Sequence, residues 1–270
     1  MIDNMNGEAL EVKNIEQVRD IPFIDVRGLS KAFGRNAILN EVSFSLNRGE
    51  SFVIIGGSGT GKSVLIKSIL GLIDPDKGEI RIDGVLFSTL SANERRKTLK
   101  RFGMLFQGGA LFDSMTIAEN IAFGLVQGAG MNKEKARKIA LEKLDAVDLS
   151  KKVADLYPAE LSGGMQKRVA LARAIATNPE VIFFDEPTTG LDPIISGTIN
   201  DLIVRCVREI GASAVTITHD IKSLRQIADR VGLLHKGQFI WQGTLSEIDC
   251  SENPYLEQFI NGNPHGPFTD

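Results

Sequence analysis

The sequence predicts a doubly wound α/β core interrupted by an inserted helical subdomain. Three observations carry this prediction. Strand-like apolar runs alternate with helical patterns at both ends of the chain, helical periodicity dominates the middle, and short runs such as ESFVIIG and VIFFD have the unbroken apolar character of buried parallel strands.

Taken in order, residues 1 to 21 read as a flexible polar extension, and ordered structure is expected to begin at Phe23. FIDVRGLSKAF and ILNEVSFSLN read as strands, the second with the alternation of a half-buried one. Asn47, Arg48 and Gly49 turn the chain into ESFVIIG, whose apolar run ends in glycines. SVLIKSILGLI reads as a helix, broken at Asp74-Pro75-Asp76-Lys77-Gly78, and EIRIDGVLF as a hairpin turning at Asp83-Gly84. From about 114 to 178 the pattern is helical. Ala136, Ile139, Ala140 and Val147 fall on one stripe, and a second helix is expected from Gly163 to Thr177. Strand signals return at 181–185 and 214–220, and VGLLHKG with QFIWQG resembles a hairpin. No repeat of solenoid length is present.

Composition narrows the function. The chain has 270 residues, 43% apolar and 24% charged, and a net charge of −3. That balance lacks the basic footprint of a nucleic-acid binder and gains little from an anionic membrane. No apolar run is long enough to span a bilayer; the best, Val64 to Ile73, is broken by Lys67 and Ser68. The acidic N-terminus lacks the regions of a signal peptide. Any membrane role is therefore expected through a partner. Cys206 and Cys250 show no metal-ligand or disulfide pattern and read as reduced thiols of a cytosolic protein.

Gly56-Gly57-Ser58-Gly59-Thr60-Gly61-Lys62-Ser63 fits G-x-x-x-x-G-K-[ST] between a strand and a helix. Its glycines let backbone N–H groups turn inward on a β-phosphate, in front of a helix N-terminus worth roughly half a positive charge. In this motif Lys62 reaches the β- and γ-phosphates of ATP, the substrate, and the Ser63 hydroxyl coordinates Mg²⁺. A second metal ligand is needed at the end of a neighbouring buried strand, and VIFFD delivers Asp185 there. Glu186 follows and is a candidate to polarise the attacking water, with an N-cap or salt-bridge role as the alternative. His219 closes TITHD. It is either a packed or capping residue or, at the ligand-binding edge of the sheet, one that holds the water and the γ-phosphate in line.

Leu161-Ser162-Gly163-Gly164-Met165-Gln166 then resembles the LSGGQ signature of the ABC transporter ATPase family, with Met165 where glutamine is usual. Ser162 is a good N-cap, and the glycines expose N–H groups that can receive a γ-phosphate. The resemblance spans about residues 22 to 245. It implies a P-loop NTPase (RecA-like) core, discontinuous over 22–105 and 179–245, with an antiparallel β subdomain. It further implies a Q-loop and helical signature subdomain over 106–178, with 246–270 as a tail. It also implies a homodimer in which the signature completes the partner's ATP site. By the same resemblance Gln107 is the Q-loop glutamine and a metal ligand, and Asp192 belongs to the D-loop. Phe33 stacks on adenine, against the alternative of a core phenylalanine.

The stretch Met104 to Thr116 (MLFQGGALFDSMT), GKSVLIK and the ending FINGNPHGPF are similar to the ATPases of the Mla (maintenance of lipid asymmetry) phospholipid systems of diderm bacteria. That similarity implies phospholipid transport. The implied partners are an integral permease and a mammalian-cell-entry-domain periplasmic protein, with the ATPase peripheral at the cytoplasmic face of the inner membrane. Generic core packing is the alternative for 104–116. Tyr255, Leu256 and Phe259 of the tail are expected to pack on the partner ATPase. Rival readings are an importer ATPase for a small polar solute and, with no coiled-coil insert to support it, a soluble ABC ATPase acting on DNA or ribosomes.

Overall fold

The computed structural model describes residues 21–269; the N-terminal extension, save Ile21, lies outside them. The first two strands, β1 (Ile24–Phe33) and β2 (Asn36–Leu46), turn back on each other with several bulges. With β4 (Lys77–Ile82) and β5 (Val85–Leu86) they form an antiparallel sheet of order β2-β1-β4-β5. The last pair turns through Asp83 and Gly84, both at positive φ (50° and 76°), which suits an Asp-Gly turn.

The second sheet positions the site. Its order is β10 (Gln238–Thr244), β9 (Arg230–His235), β3 (Ser51–Ile55), β8 (Ser213–Ile217), β7 (Val181–Asp185) and β6 (Phe102–Leu105). All neighbours are parallel except β10, which pairs antiparallel with β9. The parallel strands are buried on both faces, so consecutive side chains serve different cores. Phe183 packs toward the antiparallel sheet and helix α1 (Lys62–Ile69), while Phe184 packs toward the helical insert; both are wholly buried. Each such ring contributes roughly 1.5–3 kcal/mol by burial.

Strand β6 has no counterpart in the sequence reading. FGML is short and carries Gly103, whose place leaves no room for a side chain: a Cβ there would lie 2.5 Å from the Ala174 carbonyl oxygen. Only pairing with β7 makes it a strand. Helix α2 (Ala92–Leu99) precedes β6, and between β6 and β7 lie α3 (Ile117–Phe123), α4 (Lys133–Ala146) and α5 (Gly163–Ala174). Thr116 and Glu119 form a capping box on α3. On α4, Ala136, Ala140 and Leu144 are buried, as is Val147 just beyond it, and helix α5 stops short of Thr177. A helix the sequence left unassigned, α6 (Pro193–Ile210), starts at Asp192, whose carboxylate accepts from the Ile194 and Ile195 N–H groups, both at 3.0 Å.

The tail corrects one expectation. Its helix, α8 (Pro254–Asn261), closes over its own chain: Leu256 is buried, and Tyr255 and Phe268 pack on His235 of β9 at centroid distances of 5.4 and 4.8 Å. Tyr255 and Phe259 join the same apolar cluster. The partner surface expected for these three side chains is supplied by β9 and β10, because the rim of the sheet left apolar area for them.

Candidate active site

Four adjacent strands end at one edge, and each delivers one part of the site. Strand β3 runs into the glycine loop, β7 into Asp185 and Glu186, β8 into His219, and β6 into Gln107. This is the ligand-binding edge of an open parallel sheet. Two glycines of the loop are dictated by close approach. Gly56 (φ 148°) would place a Cβ 2.2 Å from the Leu234 carbonyl oxygen, and Gly61 (φ 104°), the N-cap of α1, would place one 2.8 Å from that of Ile38. The open cleft around the loop is lined by Ser58 to Val64 together with Ile38, Gln107, Glu186 and His219. Lys62 is 7% exposed, and its Nζ donates to the Gly56 and Gly57 carbonyls at 2.8 and 2.6 Å. Burial pushes its pKa down, opposed by the nearby Glu186 and Asp185. A buried ammonium held by carbonyls favours an anion beside it.

The carboxylates have distinct environments. Burial and then the neighbouring Glu186 raise the Asp185 pKa, partly offset by the Ser63 hydroxyl and by Lys67 and Lys62. A buried acid crowded by another acid is relieved by a cation. A hydroxyl and a carboxylate are the oxygen donors that Mg²⁺ takes alongside substrate phosphates. Ser63 and Asp185 therefore fit Mg²⁺, although among the described residues no cluster of three His, Cys, Asp or Glu could hold a metal alone. Glu186 sits at φ 48°, a strained value for this residue. Its N–H donates to the Ile217 carbonyl at 2.9 Å. Its Oε2 accepts from Gln107 Nε2 and from Thr189 Oγ1, both at 2.9 Å, and His219 Nδ1 lies 3.5 Å from its Oε1. Among the described residues no lysine or arginine lies within ion-pair distance of Glu186, which leaves His219 as its one partner of that kind, and Glu186 caps no helix. His219 does not cap either. Asp220 accepts from the Lys222 and Ser223 N–H groups at 3.0 and 3.3 Å instead, and the His219 side chain is 58% exposed.

The remaining expected residues fall into two groups. Gln107 reaches the cleft, where its amide nitrogen faces Glu186 rather than a metal donor pair. Phe33 closes β1 and is 51% exposed, which excludes the core reading. None of Leu161 to Gln166 lines the cleft. Ser162 caps α5, accepting from the Met165 N–H at 3.4 Å, and Gly163 faces open space. Gln166 turns back to donate to the Pro158 and Leu161 carbonyls at 2.9 and 3.3 Å. Asp192 stands at the start of α6, beside Ile194, which is 82% exposed.

A family model described as ABC transporter matches residues 39–189. The chain belongs to the ABC transporter ATPase family. The chain is 38% identical to the intermembrane phospholipid transport system ATP-binding protein MlaF of Haemophilus influenzae, over 90% of this chain and 92% of that protein. A second relative is the probable ribonucleotide transport ATP-binding protein mkl of Mycobacterium leprae, 39% identical over 90% of this chain and 70% of that one. Among solved structures, a dimeric ATP-binding cassette in a post-hydrolysis state, bound to ADP and Pi, superposes with a TM-score of 0.75. It is 33% identical and covers 82% of this chain and 98% of its own. This ABC ATPase is thus an ATP-binding, ATP-hydrolysing transporter subunit. No helix among its described residues is long and apolar enough to cross a membrane.

Two further parts of the ABC ATPase site escaped the sequence reading. Thr189, in PTTG, supports Glu186 as directly as Gln107 does; its only signal was proximity to the acidic pair. Lys167 is a buried cation within helix α5, 7% exposed, and such a residue is rarely left unpaired.

Proposed function

We propose that this ABC ATPase powers phospholipid movement between membranes through a partner permease, as a peripheral subunit at the cytoplasmic face of a bacterial inner membrane. The observation that carries this reading is the likeness to the phospholipid-system protein over nine-tenths of both chains. A groove on the helical insert adds to it. Met115, Ala118, Ala122, Phe123 and Val126 floor it, and Arg137 stands at its rim. Its apolar floor suits a helix-in-groove contact with the permease. A mammalian-cell-entry-domain protein would complete the complex on the far side.

In the proposed mechanism, loop amides and Lys62 hold the phosphates, and Phe33 stacks on adenine. Ser63 and Asp185, with Gln107 nearby, would hold Mg²⁺, whose charge neutralises the β- and γ-oxygens. Glu186, fixed by Gln107, Thr189 and His219, accepts the proton of the attacking water. Ser162, Gly163 and Gly164 offer a hydroxyl and N–H groups to the γ-phosphate bound by a second copy, and Asp192 relays between the two sites. Closing on ATP and reopening after hydrolysis would drive the permease. The second reading, an importer of a small polar solute, draws on the relative named for ribonucleotide transport.

The test is to purify the intact complex through the ATPase and identify co-purifying proteins and lipids by mass spectrometry. Phospholipid with a mammalian-cell-entry-domain partner is expected; a soluble solute receptor with no lipid would overturn the lipid assignment.

A further inference from the structure

The loop that follows β6 has carbonyl oxygens that its own backbone does not satisfy. Gly109 and Ala110 both lie at positive φ (74° and 48°), and the turn holds itself by one backbone bond, from the Gly109 N–H to the Phe106 carbonyl at 2.8 Å. The carbonyls of Gln107, Gly109 and Ala110 point instead at α5. Lys167 Nζ donates to the Gln107 carbonyl. Arg173, further along the same helix, donates Nη2 to Gly109 O at 2.6 Å and Nη1 to Ala110 O at 2.7 Å.

Lys167 is buried and Arg173 half-buried, and burial pushes both pKa values down. For Lys167 the fields of Glu186 and Asp185 oppose the shift. Burying a charge is costly unless its hydrogen bonds are made. Two such charges on one helix, both spent on one short loop, point to a loop whose position matters. The same loop carries the Gln107 amide that reaches Glu186 at 2.9 Å.

We propose that Lys167 and Arg173 are positioning residues. They strap the 107–110 loop to the helix that begins at the signature segment, so that Gln107 stays on Glu186. The strap makes the signature end of one subunit and the water-polarising base of that subunit move together. This rests on the roles proposed above for Gln107 and Glu186. The strap itself is made within one chain and is tested separately.

The experiment combines steady-state ATPase kinetics with amide hydrogen exchange on the full chain without nucleotide. Lys167→Met is expected to lower kcat about tenfold with KM for ATP within about twofold of wild type, because positioning acts on the transition state. Amides of 107–110 should exchange about tenfold faster, while those of 62–69 are unchanged. Lys167→Arg should recover most of kcat. Arg173→Gln, a second and milder break, should lower kcat by about threefold and speed exchange at 109–110. Unchanged kcat in both variants, a kcat loss without faster exchange at 107–110, a rise in KM equal to the activity loss, or no recovery by Lys167→Arg would overturn the proposal. Faster loop exchange with unchanged turnover would overturn the proposal through its premise, the role of Gln107, whereas unchanged exchange would overturn the strap itself.

Discussion

The phosphate loop and the signature segment are made of similar material, glycines at the start of a helix, yet they sit differently in the chain. Gly56 and Gly61 are crowded by the carbonyls of Leu234 and Ile38, and Lys62, the first residue of α1, is already hydrogen-bonded to the loop. The fold of this chain requires those glycines. Gly163 has no atom within 4 Å of a would-be Cβ and has no left-handed φ. Nothing in its own chain asks it to be glycine, whereas Gly164 meets Ile195 Cγ2 at 3.0 Å and owes its smallness to packing. The comparison teaches that the first region is complete within one subunit, while the packing of this chain gives no reason for Gly163; the proposed function supplies one, the γ-phosphate of a second copy.

Three experiments sharpen or break this contrast. The largest effect is expected at the complete half. Glu186→Gln should cut ATP turnover by about 10²–10⁴-fold through loss of the proton acceptor, with ATP affinity retained and an ATP-bound dimer accumulating on size exclusion. Near-normal turnover would remove Glu186 from the role of base.

A mixing experiment comes next. Lys62→Ala and Ser162→Arg should each be inactive alone. If the signature acts across the dimer, mixed dimers contain one intact site, and an equal mixture should regain roughly a quarter of wild-type activity by random pairing. A mixture as dead as its components means that the signature serves its own subunit.

The smallest effect separates the two glycines. Gly61→Ala, at φ 104° with a carbonyl 2.8 Å away, should cost about 1–3 kcal/mol in denaturant unfolding along with ATP affinity. Gly163→Ala should leave stability unchanged or raised by up to about 1 kcal/mol, yet still lower kcat. Equal stability losses at both positions would erase the contrast.

Much of the site was legible because its residues are tied to local patterns. The glycine loop lies between a strand and a helix, and VIFFD announces both its burial and the acids it delivers. Elements without such patterns were missed. FGML became β6 only through pairing with β7, and α6 follows from a cap at Asp192 that a D-loop reading did not translate into a helix. Tyr255 and Leu256 were misplaced because an amphipathic tail carries no mark of which surface it covers.

By itself the sequence determined the phosphate loop, the acidic pair, the signature segment and the alternation of strands and helices, since each depends on neighbours a few residues away. Only the tertiary structure decided the strand order that brings Gln107 and His219 onto Glu186, and the strap from Lys167 and Arg173 to the 107–110 loop. Those contacts join residues far apart in the chain, and hydrogen bonds over such separations are set by how the sheet is wound, which no local pattern encodes.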